Sequence, residues 1–490
     1  MFGGLIVFLL LGYPAAFSLG AVGLFFSLIG IEIGMFQPTF LQALPDRVFG
    51  ILSNDLLLSI PFFTFMGAIL EKCGLAEDML EGLGQLFGPI RGGLAYAVII
   101  VGAILGAITG TVAASVIAMG LISLPIMLRY GYNPRVATGV IAASGTITQL
   151  IPPSLVLIVL ADQLGKSVGD MYAGAIGPSI IQVVLFCLFI FFLSIFRPQD
   201  VPALPPEARP KIDWKLFRRI LWGIVPSIAL IFLVLGTILM GLATPTEGGA
   251  MGSVGALVLA AMNKRLEKSL VWEAMTSTMR INAMVIFILI GSTVFGLAFR
   301  GVDGDLWIEH LLSGLPGGQV GFLIVVNLFV FFLAFFLDYF EIAFIIIPLL
   351  APVADKLGID LIWFGVLLGA NMQTSFMHPP FGFALFYLRG VAPKSLKSSD
   401  IYYGALPWVA LQLMLVAIII FIPETVTYFI DKPAVAIDAN GPSIDPLAGV
   451  EQNVAKFIGN GHQQVSPCAA LYIFFGNAKR QLLKNGPQLI

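Results

Sequence analysis

The stretch GLAYAVIIVGAILGAITGTVAASVIAMGLISLPIML, residues 93–128, runs for 36 residues without a charged side chain. As one straight helix it would be about 54 Å long, against roughly 30 Å for the hydrocarbon core of a bilayer. A second run of 36 residues, GQVGFLIVVNLFVFFLAFFLDYFEIAFIIIPLLAPV at 318–353, has the same excess. Each carries polar or small residues near its middle: Gly106, Thr109, Gly110, Thr111 and Ser115 in the first, Asp338 and Glu341 in the second. A single tilted helix is one reading of such a run. The other is a hairpin that enters, turns and leaves on the same side. A turn at depth needs polar partners for its freed backbone groups, and these residues supply them, so the reading adopted is two re-entrant hairpins.

The rest of the chain supports a membrane setting. Of 490 residues, 58% are hydrophobic and 11% charged, whereas a soluble protein carries about a quarter of its residues as charges. A water-soluble enzyme is thereby excluded. Apolar runs recur from residue 1 to about 422, and each must be helical to satisfy its backbone in lipid. The net charge of −2 and the absence of a basic run exclude a nucleic-acid partner. Three cysteines and three histidines are scattered and make no disulfide or metal pattern. Residues 1–11 lack a positive n-region and a cleavage site, and read as part of a first span. The main polar interruption, 197–219, holds Arg197, Arg209, Lys211, Lys215, Arg218 and Arg219, and the next loop holds Lys264, Arg265 and Lys268. Two spans separate these loops, so both fit one cytoplasmic face.

Sliding the chain on itself by 227 residues exposes a repeat. Gly74 falls on Gly301, Gly131 on Gly358 and Ala143 on Ala370, while Pro89, Pro125, Pro152 and Pro153 fall on Pro316, Pro352, Pro379 and Pro380. Chance would supply roughly 0.3 proline coincidences over this window, so duplication is the economical explanation. The turns at Gly131–Asn133 and Gly358–Asp360 both read as a helix end followed by an N-cap. Basic residues flank the first and acidic ones the second, which suggests opposite membrane sides and hence an inverted repeat. Such repeats place substrate and ion sites at their interface near the midplane.

Within each repeat the hairpin is followed by an apolar helix broken at a double proline. The first break reads ASGTITQLIPPS (143–154) and the second ANMQTSFMHPPF (370–381). Proline frees a carbonyl one turn back, and the neighbouring Ser, Thr, Asn and Gln add oxygens. Oxygens with few full charges suit a small hard cation such as sodium, and half-helix N-termini suit a carboxylate. A kinked helix patched by side-chain hydrogen bonds is the alternative. Asp338 and Glu341, deep in the second hairpin, are open to three roles: cation ligand, proton relay, or a protonated, hydrogen-bonded pair. The segment 241–250, with its Thr-Pro-Thr-Glu, reads as a turn and a capped helix start. Gly165-Lys166-Ser167 lacks the glycine that a phosphate loop needs at 160. Ser144 faintly resembles an intramembrane serine nucleophile, but the histidines within reach of a span, His310 and His378, belong to the other repeat. No enzyme is implied.

Six stretches together carry a family resemblance: 60–67 (IPFFTFMG), 106–115 (GAITGTVAAS), Gly131-Tyr132, 152–154 (PPS), 243–247 (ATPTE) and 378–386 (HPPFGFALF). Over residues 1 to about 430 the chain resembles the large membrane subunit, DctM, of tripartite ATP-independent periplasmic (TRAP) transporters. The stretch 380–393 is similar to the mannitol/chloroaromatic-like subgroup, a label that says little about substrate. The resemblance implies an all-α polytopic membrane protein with the elevator-type ion transporter fold: inverted repeats, two re-entrant hairpins and two broken helices. It implies a sodium-driven importer of an organic acid in the bacterial inner membrane, with no cofactor beyond sodium as coupling ion. The implied partners are a small membrane subunit (DctQ-like) and a periplasmic binding protein (DctP-like). A stand-alone carrier of the same superfamily is the alternative.

Carried onto this chain, the resemblance implies one sodium site from Thr109, Gly110, Thr111, Ser144, Gly145, Thr146 and Thr148. It implies another from Asp338, Asn371, Gln373, Thr374 and Ser375. Ser115, Pro152, Pro153, Ser154, His378, Pro379 and Pro380 would face substrate. Two departures stand out: threonine at 109 or 111 where serine is usual, and His378 where threonine is commoner. The expected divisions are N-terminal scaffold 1–92, first hairpin and broken helix 93–196, cytoplasmic linker 197–219, second scaffold 220–317, second hairpin and broken helix 318–430, and a polar tail 431–490 that resembles nothing in the family.

Overall fold

The computed structural model describes residues 1–208, 214–335, 337–379 and 382–430, and of Ala76, Thr109, Ala208, Lys215, Leu216, Phe217, Arg219 and Ile220 the backbone but not the side chain. Residues 209–213 of the linker, the expected substrate residue Pro380, and the tail 431–490 lie outside the described residues. Among the described residues the regular elements are all helical. The first half contains α1 (Phe2–Leu10), α2 (Ala15–Glu32), α3 (Leu44–Leu52), α4 (Ser59–Lys72), α5 (Leu75–Phe87), α6 (Gly93–Thr109), α7 (Val112–Arg129), α8 (Pro134–Thr146), α9 (Leu155–Leu164) and α10 (Val168–Phe196). The second contains α11 (Trp214–Leu239), α12 (Pro245–Met262), α13 (Lys268–Gly301), α14 (Gly304–Ser313), α15 (Gln319–Leu333), α16 (Tyr339–Glu341), α17 (Ile347–Lys356), α18 (Leu361–Ser375), α19 (Phe383–Val391), α20 (Ser398–Phe421) and α21 (Glu424–Thr427). Six described helices are long and apolar enough to cross a bilayer individually. The chain is a multi-pass membrane protein.

Element boundaries recur at the 227-residue offset. Shifted by it, the end of α7 at Arg129 falls on the end of α17 at Lys356, and the start of α8 at Pro134 falls on the start of α18 at Leu361. Gly131 and Gly358 both take left-handed backbone angles, φ of 79° and 73°, a conformation that a side chain with a Cβ resists. Asn133 accepts from Arg135 N–H and Asp360 from Trp363 N–H, so both turns end in an N-cap. One copy departs from the other. The 34-residue α13 is continuous where α3 and α4 are separate helices, because the Asn54 side chain accepts from Leu56 N–H at 2.9 Å and competes with the helix ladder. The linker is also shorter than its composition suggests. Since α11 begins at Trp214, Lys215, Arg218 and Arg219 belong to that helix.

Both long runs fold as helical hairpins. In the first, Gly110 has φ of 61° at the tip, and Leu94 N–H donates to the Tyr132 hydroxyl at 3.2 Å across the base. In the second, the Gln319 side chain donates to the Leu357 carbonyl at 2.6 Å across the base. The bases face opposite ends of the molecule. The first is tied to the linker by Gly92 N–H to Val201 O (3.0 Å) and Asn133 N–H to Asp200 O (3.0 Å), beside the end of α10. The second adjoins the start of α18, where Trp363 donates to Ile419 O near the end of α20 and Ile362 lies against Gly174 near the start of α10.

Packing between the halves is reciprocal, as a two-fold relation requires. Helix α2 crosses α13 while its counterpart α12 crosses α4. The crossings are backbone-close: a Cβ on Gly23 would meet Phe295 N at 2.9 Å, and one on Gly291 would strike the Ala16 carbonyl. Small residues at such contacts are how helices associate where lipid removes the hydrophobic drive. The opposite faces present Phe17, Phe25 and Leu28 on α2 and Ile180, Val184, Phe191 and Ile195 on α10, all exposed, as a lipid-facing surface allows.

The reading of 241–250 as a capped helix start holds in full. Thr244 accepts from Glu247 N–H at 3.3 Å, and Glu247 accepts from Thr244 N–H at 2.8 Å. Thr244→Ala is expected to cost about 1 kcal/mol. Hydrogen exchange should accelerate in the first turn of α12 and stay unchanged in α8.

Candidate functional site

The hairpins and the broken helices assemble around one centre. Helix α8 ends at Thr146, a single tighter turn spans residues 147–149, and α9 starts at Leu155. Prolines 152 and 153 lack donors, so the ladder cannot continue through them. The Ser154 hydroxyl restores order by donating to Gln149 O (2.6 Å) and accepting from Val156 N–H (3.2 Å). In the second break α18 ends at Ser375 and α19 starts at Phe383. Gly382 N–H donates to His378 O at 2.7 Å. A Cβ on Gly382 would lie 2.6 Å from Phe376 O, so this position requires glycine.

The first hairpin lies on the first break. A Cβ on Gly102 would lie 2.6 Å from Ser144 Cβ, one on Gly106 would lie 3.0 Å from Thr148 Cα, and one on Gly145 would collide with Val116. Gly110 rests against Leu155. The structure therefore brings Gly110, Ser144, Gly145 and Thr148 into one neighbourhood. The second hairpin runs along the second break in the same register: Phe322 packs on Phe364, and the Asn371 side chain donates to the Asn327 side chain at 3.0 Å and to its carbonyl at 2.8 Å. Phe331 and Phe335 cover His378 with ring centroids 4.3 and 4.9 Å away.

The breaks also face one another. Thr146 Oγ1 lies 3.6 Å from Met377 Sδ and accepts from the Gln412 side chain of α20 at 2.9 Å. The tip of the second hairpin crosses to the first repeat, where the Tyr339 hydroxyl donates to Val156 O at 2.6 Å. Both tips thus converge on the N-terminus of α9. Tyr339→Phe removes one buried hydrogen bond, worth about 1 kcal/mol. Faster hydrogen exchange over residues 334–341 with unchanged exchange in α20 is the expected result.

Asp338 is spent locally. Its carboxylate accepts from Tyr339 N–H at 2.7 Å, and Glu341 accepts from Asp338 N–H at 3.0 Å, so the two acids cap the short helix at the tip. Among the described residues no hydrogen bond joins Asp338 to Asn371, Gln373, Thr374 or Ser375. The hydroxyls of the breaks are likewise turned to their own backbone: Ser144 to Val140 O, Thr148 to Gly145 O, Thr374 to Asn371 O and Ser375 to Met372 O. Ser115 is buried on α7, and Pro379 follows His378 at the mouth of the second break.

Among the described residues, other groups have no hydrogen-bond partner. Gln373, fully buried, leaves both its carboxamide oxygen and nitrogen without one, and the buried Gln149 leaves its oxygen without one. An unpaired buried polar atom costs about 1–3 kcal/mol, so each of these carboxamides retains hydrogen-bonding capacity in the interior. Gln149 lies in the first break, whose glutamine is among the oxygen donors read there, whereas Asn327, Tyr339 and Gln412 belong to no donor set read from the sequence. The available signal was a lone amide in an otherwise apolar helix, as at Asn327 and Gln412.

The sequence model of the family described as tripartite ATP-independent periplasmic transporter, DctM component, matches residues 2–425. The chain is 29% identical over 395 residues to the C4-dicarboxylate TRAP transporter large permease protein DctM of Pseudomonas aeruginosa, covering 80% of this chain and 90% of that one. It is 29% identical over 442 residues to the protein of the same name from Rhodobacter capsulatus, covering 86% and 96%. The crystal structure of the YdaH transporter of Alcanivorax borkumensis superposes with a TM-score of 0.57 at 15% identity, over 82% of this chain and 98% of that one. That likeness is one of fold.

Proposed function

The chain belongs to the DctM component family of tripartite ATP-independent periplasmic transporters, and on that premise we propose that it imports a small organic acid across the bacterial inner membrane, driven by sodium. The relatives named for C4-dicarboxylates support a carboxylate substrate. The word tripartite supports two further components, a small membrane subunit and a periplasmic protein that binds the substrate and hands it over.

The observation that carries the reading is the pair of facing breaks with their orphan oxygens. Gln373 and Gln149 offer buried carboxamide oxygens with no competing donor. Thr146, Thr148, Thr374 and Ser375 surround the same breaks with hydroxyls. Neutral oxygen donors suit a hard monovalent cation and leave the bound site with little net charge. A group of low net charge crosses a bilayer at modest cost, whereas bare carboxylates do not. An elevator movement fits the division of contacts. Hairpins and breaks pack on one another, while α2–α13 and α4–α12 form a framework that meets the hairpins through α4 against α6 and α13 against α16. The N-terminus of α9, with Ser154 as its cap, faces both tips and provides a positive dipole end for a substrate carboxylate.

Reconstitution tests this. Proteoliposomes holding the chain, its small subunit and the binding protein are expected to accumulate labelled succinate only under an inward sodium gradient. Uptake of free succinate by the chain alone would favour the stand-alone carrier instead. Uptake indifferent to sodium would remove the coupling ion from the proposal.

A further inference from the structure

A cleft of about 320 Å³ lies away from the breaks, lined among others by Arg47, Asn54, Asp162, Ser292, Thr293 and Arg300. Its walls come from two groups of helices. Helices α3 and α13 supply both arginines, while α9 and the returning arm of the second hairpin supply the facing wall. The two sides touch through the Asn54 side chain, which donates to Asp162 Oδ1 at 2.8 Å. Asp162 Oδ2 accepts from the Gln163 side chain at 2.8 Å. Both oxygens of the acid are therefore held by amides. Among the described residues neither Arg47 nor Arg300 has a carboxylate within ion-pair distance, and both are exposed. Two guanidiniums against the single carboxylate of Asp162 leave these lining residues with a net positive charge that raises the local concentration of anions, and the planar fork of arginine matches a carboxylate bidentately.

Position gives the cleft its direction. Helix α13 starts at Lys268 in the basic loop, and Arg300 is at its far end. Asp162 is in the last turn of α9, close to the start of α10, whose other end meets the linker. The cleft is thus at the end opposite the basic segments, the outer end by the positive-inside rule. The α9 that forms one wall also carries, at its other terminus, the point where both hairpin tips converge.

We propose that this cleft is an anion antechamber: Arg47 and Arg300 collect the carboxylate of the incoming substrate before it reaches the hairpin tips. The proposal rests on the organic-acid reading above. It predicts a role in capture rather than in the transport step. Arg47→Gln with Arg300→Gln should raise the KM for succinate about ten-fold with kcat unchanged, since removing steering charges slows encounter.

A second readout does not depend on transport. In the full chain with its three cysteines replaced by alanine, Thr293→Cys places a thiol in the cleft. A sulfonate-bearing methanethiosulfonate is expected to label it about ten-fold faster than the trimethylammonium analogue. The ratio should fall toward one in the double arginine variant. Succinate should slow labelling, and neutral succinamide should not. A ratio near one with both arginines present, equal protection by succinamide, or equal protection by inorganic phosphate would each overturn the antechamber. If labelling and protection behave as expected but no succinate enters proteoliposomes, the transport reading fails and the cleft stands. If succinate enters with neither effect, the cleft alone fails.

Discussion

Asp338→Asn is expected to lower sodium-driven uptake at least ten-fold, about 1.4 kcal/mol or more, while the protein remains folded. Asparagine caps a helix about as well as aspartate, and it keeps the oxygen that accepts from Tyr339 N–H at 2.7 Å. What it loses is the charge. A carboxylate at this depth is costly unless a cation or donor neutralises it, and at the tip its partners are backbone N–H groups. Under the sodium coupling proposed above, an ion at the tip would offset that charge. Asp338→Ala removes cap and charge together and should add about 1 kcal/mol of destabilisation. The readouts are uptake against sodium concentration and the melting temperature of the purified protein. Wild-type sodium dependence in Asp338→Asn would leave Asp338 a purely structural cap.

Gly139→Val is expected to abolish the folded protein. On α8 a Cβ at 139 would strike the carbonyl of Gly404 and lie 2.5 Å from the Trp408 indole nitrogen. Facing it, a Cβ at 404 would strike the Arg135 carbonyl. Neither backbone can yield, because Thr138 donates to the carbonyls of Pro134 and Asp400, and Arg135 pairs with Asp400 at 3.2 Å. Overpacking a core typically costs 1–3 kcal/mol, and a contact of backbone on backbone belongs at the upper end or beyond. Trp408 also packs edge-on against Phe186 and Phe189, so the displacement would spread into α10. Size-exclusion of detergent extracts should show the loss directly. A monodisperse Gly139→Val protein with normal melting would refute the close crossing. By comparison Gly390, with nothing within 4 Å of an added Cβ, should accept alanine without effect.

The division between what a linear pattern holds and what it hides follows from the range of each interaction. The helices, the hairpins and the duplicated boundaries depend on local quantities: the length of an apolar run, a glycine that alone tolerates positive φ, and an Asn or Asp that caps the next turn. Gly131–Asn133 and Gly358–Asp360 show this, since each turn is determined within about five residues. The candidate ligands are another matter. The family resemblance implies Ser144, Thr148, Thr374 and Ser375 as ion ligands, yet each hydroxyl is bonded to a carbonyl three or four residues back. A threonine in an apolar helix always has that local alternative, and its spelling does not say which is taken.

From sequence alone came the membrane setting and the duplicated segment boundaries, because hydropathy and proline spacing are properties of segments. Only the tertiary structure decided which polar groups meet: Thr146 with Gln412 and Met377, Asn371 with Asn327, Tyr339 with Val156, and Asn54 with Asp162 in the cleft that Arg47 and Arg300 also line. Those partners lie between 44 and 266 residues apart where hydrogen-bonded. Their encounter is set by helix crossings at glycines such as Gly139 and Gly404, where the absence of a side chain lets two backbones touch.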